Sequence, residues 1–140
     1  MKIRHPAAAA IVLLIFTLGP SLFAQTDFNA FWSKFKAAVA ANNKAAVAEM
    51  TKFPVSMPSG IKPIKDKQGF SQRFNEIFQG EANAAQCFAT AKPERESAQR
   101  CSVYCPFKQT PEQKDNAPIR FIFELTRNGW KFVGLDNINE

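Results

Sequence analysis

The spacing of hydrophobic positions changes along the chain, and each change marks an element. In DFNAFWSKFKAAVA, Phe28, Phe31, Trp32, Phe35 and Val39 fall on one face of a helix, which Thr26 or Asp27 can cap. Asn42-Asn43 interrupts that helix. Asn43 then suits the cap of a short second helix, KAAVAEMTKF, with Val47 and Met50 inward and Pro54 as the stop. FPVSM reads as a short strand and MPSGIKPIKD as a turn-rich connection. The helical period returns in KDKQGFSQRFNEIFQG, where Asp66 suits the cap, Phe70, Phe74, Ile77 and Phe78 form one stripe, and Gly80 ends the run. EANAAQCFATA predicts a short helix passing into a strand near Cys87 to Ala91. KPERESAQR predicts polar turns, CSVYCPF a strand, and KQTPEQKDNAP a polar loop.

The period drops to two at the end of the chain. In PIRFIFELT, Ile119, Phe121, Phe123 and Leu125 alternate with Arg120, Ile122 and Glu124. WKFVGLDNI follows after Arg127-Asn128-Gly129, and Asn-Gly between two such runs predicts a type I′ hairpin with Arg127 and Trp130 flanking the turn. With Asn128-Gly129 as the loop, Arg120 falls opposite Asn137 and Asp136 opposite Phe121, so a direct Arg120–Asp136 pair is not expected. Helical stripes followed by alternating strands give an α+β class, with N-terminal helices packed on a mainly antiparallel sheet that ends in a C-terminal β-hairpin. One core is expected to join Phe31, Trp32, Phe35, Phe70, Phe74, Phe78, Phe121 and Phe123.

The start of the chain fits none of these periods. MKIRHPAAAAIVLLIFTLGPSLFAQT joins a basic start at Lys2 and Arg4 to an apolar run, Ala7 to Leu18, and a small residue, Ala24, at a plausible cleavage point. Residues 1–24 therefore read as a signal peptide, 25–140 as a single domain, and the protein as secreted or periplasmic. The run is shorter than the ~20 apolar residues of a spanning helix, so no stable membrane anchor is expected. Net charge is +6, but no basic cluster forms; Lys62, Lys65 and Lys67 are interrupted by Pro63, Ile64 and Asp66. A nucleic-acid partner is not expected.

The sole histidine, His5, lies in the leader. Histidine-activated nucleophiles and zinc sites with histidine ligands are thereby excluded from residues 25–140. No C-x-x-C, G-x-G-x-x-G or phosphate-binding loop occurs, and no metal or cofactor is expected. Carboxylate acid–base catalysis stays open, without a spacing that singles out a pair. Cys101 and Cys105, four apart on one strand, sit ~13 Å apart, beyond the ~7 Å reach of a disulfide. Cys87 must then supply the partner, through Cys105 on a symmetric turn or Cys101 on a tighter one, leaving one buried thiol. Tyr104 and Trp130 join apolar bodies to polar tips and, with Arg120 and Asp136, are candidates for a ligand-binding site at the open end of the sheet.

The order of elements carried by FNAFWSKFKAAVAANNKAAVAEMTKFP, IKDKQGFSQRFNEIF and FIFELTRNGWKFVGLDN resembles the nuclear-transport-factor-like (cystatin-like) superfamily, and most of all its small secreted bacterial members. The resemblance implies a curved sheet wrapped as a cone around a long helix. Some members are isomerases or dehydratases with cones lined by Asp, Tyr and often His. Here His is missing from the domain and Tyr104 is the sole tyrosine. The resulting expectation is a non-enzymatic module that binds a small apolar ligand or a protein partner. The alternatives are a cone-pocket enzyme with a buried carboxylate as general base, and a structural module that dimerises through its sheet.

Overall fold

A computed structural model describes residues 21–108, 110–113 and 115–139. The expected leader lies outside them apart from 21–24. The first helix, α1 (Ser21–Ala40), runs through Thr26 and Asp27, so the expected caps lie inside it. Asn43 does cap α2 (Lys44–Glu49), its side-chain oxygen accepting from Ala46 N–H at 3.1 Å. Asn42 makes the sharp turn between them at φ 52°, a conformation asparagine adopts more readily than most residues. The first strand, β1 (Thr51–Ser56), begins before Pro54 and contains it.

The second stripe divides into two pieces. Asp66 caps α3 (Lys67–Gln72), accepting from Gly69 N–H at 2.8 Å. A π turn follows at Glu76–Gly80. Between them Arg73 donates twice to Glu76, at 2.8 and 2.7 Å, and once to the Lys62 carbonyl at 3.0 Å, which pins the break. The wider turn keeps the stripe continuous: Phe70, Phe74, Ile77 and Phe78 are all buried. Next, α4 (Ala84–Thr90) holds Cys87 on a helix, not on the expected strand. The expected turn region instead supplies an edge strand, β2 (Glu94–Ser97), followed by β3 (Arg100–Cys105).

The hairpin of β4 (Ile119–Thr126) and β5 (Gly129–Asn137) forms as expected, but with another turn. Thr126 pairs with Gly129, so Arg127 and Asn128 are the loop. Positive φ falls on Gly129, at 88°, and not on Asn128. Thr126 Oγ1 donates to the Gly129 carbonyl at 2.7 Å and accepts from Asn128 N–H at 3.1 Å. The side-chain hydroxyl of Thr126 thus closes a turn that ends on a left-handed glycine, where a type I′ turn needs positive φ at both loop residues.

The five strands form one open mixed sheet in the order β1-β5-β4-β3-β2, antiparallel throughout except for the parallel β1·β5 pair. A register shift between Ile122 and Phe123 inserts an extra residue at Val133. Beside it, Gly134 lets β1 approach: a Cβ there would stand 2.8 Å from Ser56 Cβ and 2.9 Å from its carbonyl oxygen.

The helices cover one face of this sheet, and aromatic rings fill the space between. Phe123 sits at the centre, with ring centroids 5.1 Å from Phe35, 5.6 Å from Trp32, 5.6 Å from Phe132 and 5.8 Å from Phe31. Phe88 on α4 bridges Trp32 at 4.9 Å and Phe121 at 5.0 Å. The expected core residues are buried together, with Phe31 half-buried against them. Replacement of Phe123 by Ala should cost about 3–5 kcal/mol of stability in chemical denaturation. A loss below about 1 kcal/mol would mean that Phe123 is not the centre of the packing.

Candidate functional site

The strand alternation that sends Phe121 and Phe123 toward the helices sends Arg120 and Glu124 to the outer face of the sheet. Three of the four sequence candidates meet there. Tyr104 pairs with Arg120, and Arg120 with Asp136, in one row across β3, β4 and β5. Arg120 Nη1 lies 3.8 Å from Asp136 Oδ2. This corrects the expected register, because the turn at Arg127-Asn128 and the extra residue at Val133 shift β5 and set Arg120 opposite Asp136. Trp130 is elsewhere. It is 4% exposed on the helix-bearing face, edge-on to Phe28 at 4.9 Å, with the Arg95 guanidinium 5.9 Å from its ring.

Arg120 is occupied by more than Asp136. Its Nη2 donates to both carboxylate oxygens of Glu96 at 2.6 Å, and its Nε donates to Ser102 Oγ at 3.1 Å. Ser102, fully buried, donates in turn to Glu96 at 2.7 Å. Arg100 extends the lattice, 3.6 Å from Glu96 and 3.6 Å from Glu124. Burial raises the Glu96 carboxyl, but the Ser102 and Arg120 hydrogen bonds and the charges of Arg120 and Arg100 outweigh it and hold the group below its ordinary value. Chemically, this face is a closed ion lattice whose strongest donor already holds a carboxylate. Sequence reasoning missed Glu96 because KPERESAQR looked like turns. The alternation of Glu94 and Glu96 with Arg95 was the available signal.

A cleft of about 540 Å³ opens at the edge of β3. Gln86, Cys87, Thr90 and Ala91 of α4 form one wall; Tyr104, Pro106, Phe107 and Lys108 form the other, with Asn83 at the end. Cys87 and Cys105 are disulfide-bonded, with Cα atoms 5.7 Å apart, and fix α4 beside the last residues of β3. The Asn83 side chain caps α4, accepting from Gln86 N–H at 3.3 Å. Lys108 is drawn in by its own N–H, which donates to the Glu81 carbonyl at 2.7 Å, and its ammonium donates to the Gln79 carbonyl. Two of its three ammonium protons are left for other acceptors. Tyr104 is 37% exposed, and no group among the described residues bonds its hydroxyl or that of Thr90. The cleft has apolar walls, hydroxyl and amide groups and one cation, with no carboxylate in its lining. Of the sequence candidates it takes Tyr104 alone. Gln86, Thr90 and Lys108 escaped sequence reasoning because α4 was expected to become a strand.

Cys101 is the free cysteine, 3% exposed within the core. Burial pushes its thiol up from the ordinary value, which suits an inert packing residue. Among the described residues, no group of three or more potential ligands is arranged for a metal ion, and no helix is long and apolar enough to cross a membrane.

The Glu96 lattice gives a pH test. Because the folded state holds this carboxyl low, its stabilisation is complete above the ordinary glutamate value of 4.5 and is lost as pH falls through the folded-state value. Glu96→Gln should destabilise by about 1–2 kcal/mol at pH 7. The gap from the parent protein should close in denaturation series carried below the ordinary glutamate value. A gap that stays constant into acid would mean that the charge of Glu96 contributes nothing.

No family model and no curated protein matches the chain. Solved structures similar to it include hexachlorocyclohexane dehydrochlorinase LinA-type3 from Novosphingobium barchaimii, 12% identical, covering 84% of this chain and 86% of that one at a TM-score of 0.47. They also include an NTF2-like protein with a cystatin-like fold from Novosphingobium aromaticivorans, 13% identical over 83% and 81% at 0.46. An NTF2-like protein of unknown function from Pseudomonas putida is 8% identical over 84% and 87% at 0.46.

Proposed function

We propose that the protein is a secreted binding module that takes a small amphipathic ligand in the cleft between α4 and the end of β3. The observation that carries this reading is the cleft itself. Its volume of about 540 Å³ lies within the usual range of small-molecule sites, and its apolar walls carry a few convergent polar groups, among them the unbonded hydroxyls of Tyr104 and Thr90. The lining offers groups that hold a ligand, and it has no carboxylate or imidazole to move a proton.

The alternatives have less support. A cone-pocket enzyme needs room on the helix-bearing face, where Phe28, Trp32, Phe35, Phe88, Phe121, Phe123 and Phe132 pack against one another. A module dimerising through its sheet would have to bury the outer face, which presents Glu96, Arg100, Arg120, Glu124 and Asp136. Desolvating such ion pairs costs free energy that their mutual attraction rarely recovers. Secretion is supported by the disulfide, since such bonds persist in oxidising compartments.

The test is a thermal-shift screen of small carboxylates, phenols, amides and sterols, run on protein recovered from a bacterial periplasm. Mass spectrometry of that material should give the chain 25–140 with one disulfide. Stabilising hits should weaken at least about tenfold with Tyr104→Ala and be unchanged with Arg120→Ala. Hits that survive Tyr104→Ala would take the site out of the cleft, and hits that vanish with Arg120→Ala would move it to the ion lattice of the outer face. An uncleaved leader would remove the secretory part.

A further inference from the structure

The strand β3 is longer than its neighbour β2, and the excess opens into the cleft. The β2·β3 ladder runs from the Ser97–Arg100 pair to the Glu94–Ser102 pair and stops. Which way the remaining main-chain groups point follows from one bond: Leu125 N–H donates to the Gln99 carbonyl at 2.9 Å. Main-chain groups of an antiparallel strand alternate between its two edges. Gln99, Cys101, Val103 and Cys105 therefore direct theirs to β4, while Arg100, Ser102 and Tyr104 direct theirs to the β2 edge. The position of the Tyr104 carbonyl agrees, for its oxygen lies 3.6 Å from Cys87 Sγ, on the cleft side. That sulfur is bonded to Cys105 and has no proton to donate.

The chain does not complete its own ladder here. Continuing the register of β2 would put Lys92 opposite Tyr104, but β2 begins only at Glu94, and Ala91 has just left α4 at ψ 140°. Among the described residues, no loop or turn group bonds the N–H or C=O of Tyr104. Tyr104 thus offers the cleft one main-chain donor and one acceptor on the same edge, spaced as a strand spaces them.

We infer that the ligand is a short extended peptide whose peptide groups pair with the main chain of Tyr104 and prolong the line of β2. This rests on the binding reading above and narrows it to a chemical class. A peptide carries the matching acceptor and donor at the matching spacing, and strand addition to a free edge is a general mode of peptide capture. Its alternate side chains meet the apolar wall of Ala91, Pro106 and Phe107 on one side of the strand. Gln86 and Thr90 supply hydrogen bonds along α4.

The test uses a library of blocked tetrapeptides varied at every position, with amide hydrogen exchange of the full secreted chain as readout. The best binder should slow exchange of the Tyr104 amide at least about tenfold. Remaking that binder with an ester in place of each amide in turn should weaken it about three- to tenfold at one position, the position that donates to the Tyr104 carbonyl. Thr90→Trp, which sets an indole in the cleft from an exposed helix position, should abolish the protection. An ester scan without a weak position, or a bound peptide that leaves the Tyr104 amide unprotected, overturns the inference. If small non-peptide ligands bind with sensitivity to Tyr104→Ala while no peptide protects the amide, the inference falls and the binding reading stands. If neither class binds, both fall.

Discussion

Everything in this fold is arranged around the packing of α1 against the hairpin. Phe28, Trp32 and Phe35 on the helix meet Phe123, Trp130 and Phe132 on the strands, largely at the tilted and edge-to-face angles that aromatic quadrupoles favour. Each such pair contributes roughly 0.5–1.5 kcal/mol beyond the burial of its area. The consequence for function is one of volume. Among the described residues, rings fill the space between the helices and the sheet. The cleft lies instead at the margin of the sheet, beside α4 and the end of β3.

The main elements were legible in the sequence because they obey a single period. The stripe of α1, the stripe from Phe70 to Phe78 and the alternation of β4 each need an apolar partner, and one core satisfies all three. The misreadings share a cause, which is that tertiary partners overrode local signals. Asn128-Gly129 is a strong type I′ signal, yet the Thr126 hydroxyl bonds the turn from outside it and moves the loop back by one residue. The extra residue at Val133 then corrects the register for the core while shifting the outer face. The turn leaves no mark on the hydrophobic pattern, and the mark of the extra residue, the change of parity from Trp130 and Phe132 to Leu135, went unread, so the Arg120–Asp136 pairing was missed.

The candidate site was legible only at Tyr104. Its other walls belong to α4, whose seven residues carry too little periodicity to separate a helix from a strand, and to the segment after Pro106, which reads as polar loop. The Cys87–Cys105 pairing came out correctly from a wrong picture. The sequence argument set the two cysteines opposite each other on a hairpin, whereas the bond joins a helix to a strand. What survived the change was the exclusion step: Cys101 and Cys105, on one face of one strand, are too far apart to pair.

That bond also explains why the sheet has a free edge where the cleft lies. By holding Cys87 beside Cys105, it keeps the middle of α4 against the end of β3, which no strand can then occupy from within the chain. The helix runs on to Thr90, and Lys92 and Pro93 carry the chain out before it re-enters the sheet at Glu94, already opposite Ser102. Closing a loop of 18 residues stabilises the fold by about 3 kcal/mol in the chain-entropy account. The same closure leaves the main-chain groups of Tyr104 directed at an edge with no strand on it. An edge left open is ordinarily a hazard for aggregation, and beyond Tyr104 the edge on this side of the sheet is β2, which is short and charged. Tyr104 keeps one main-chain donor and one acceptor on that side, walled by a helix and set in a concavity.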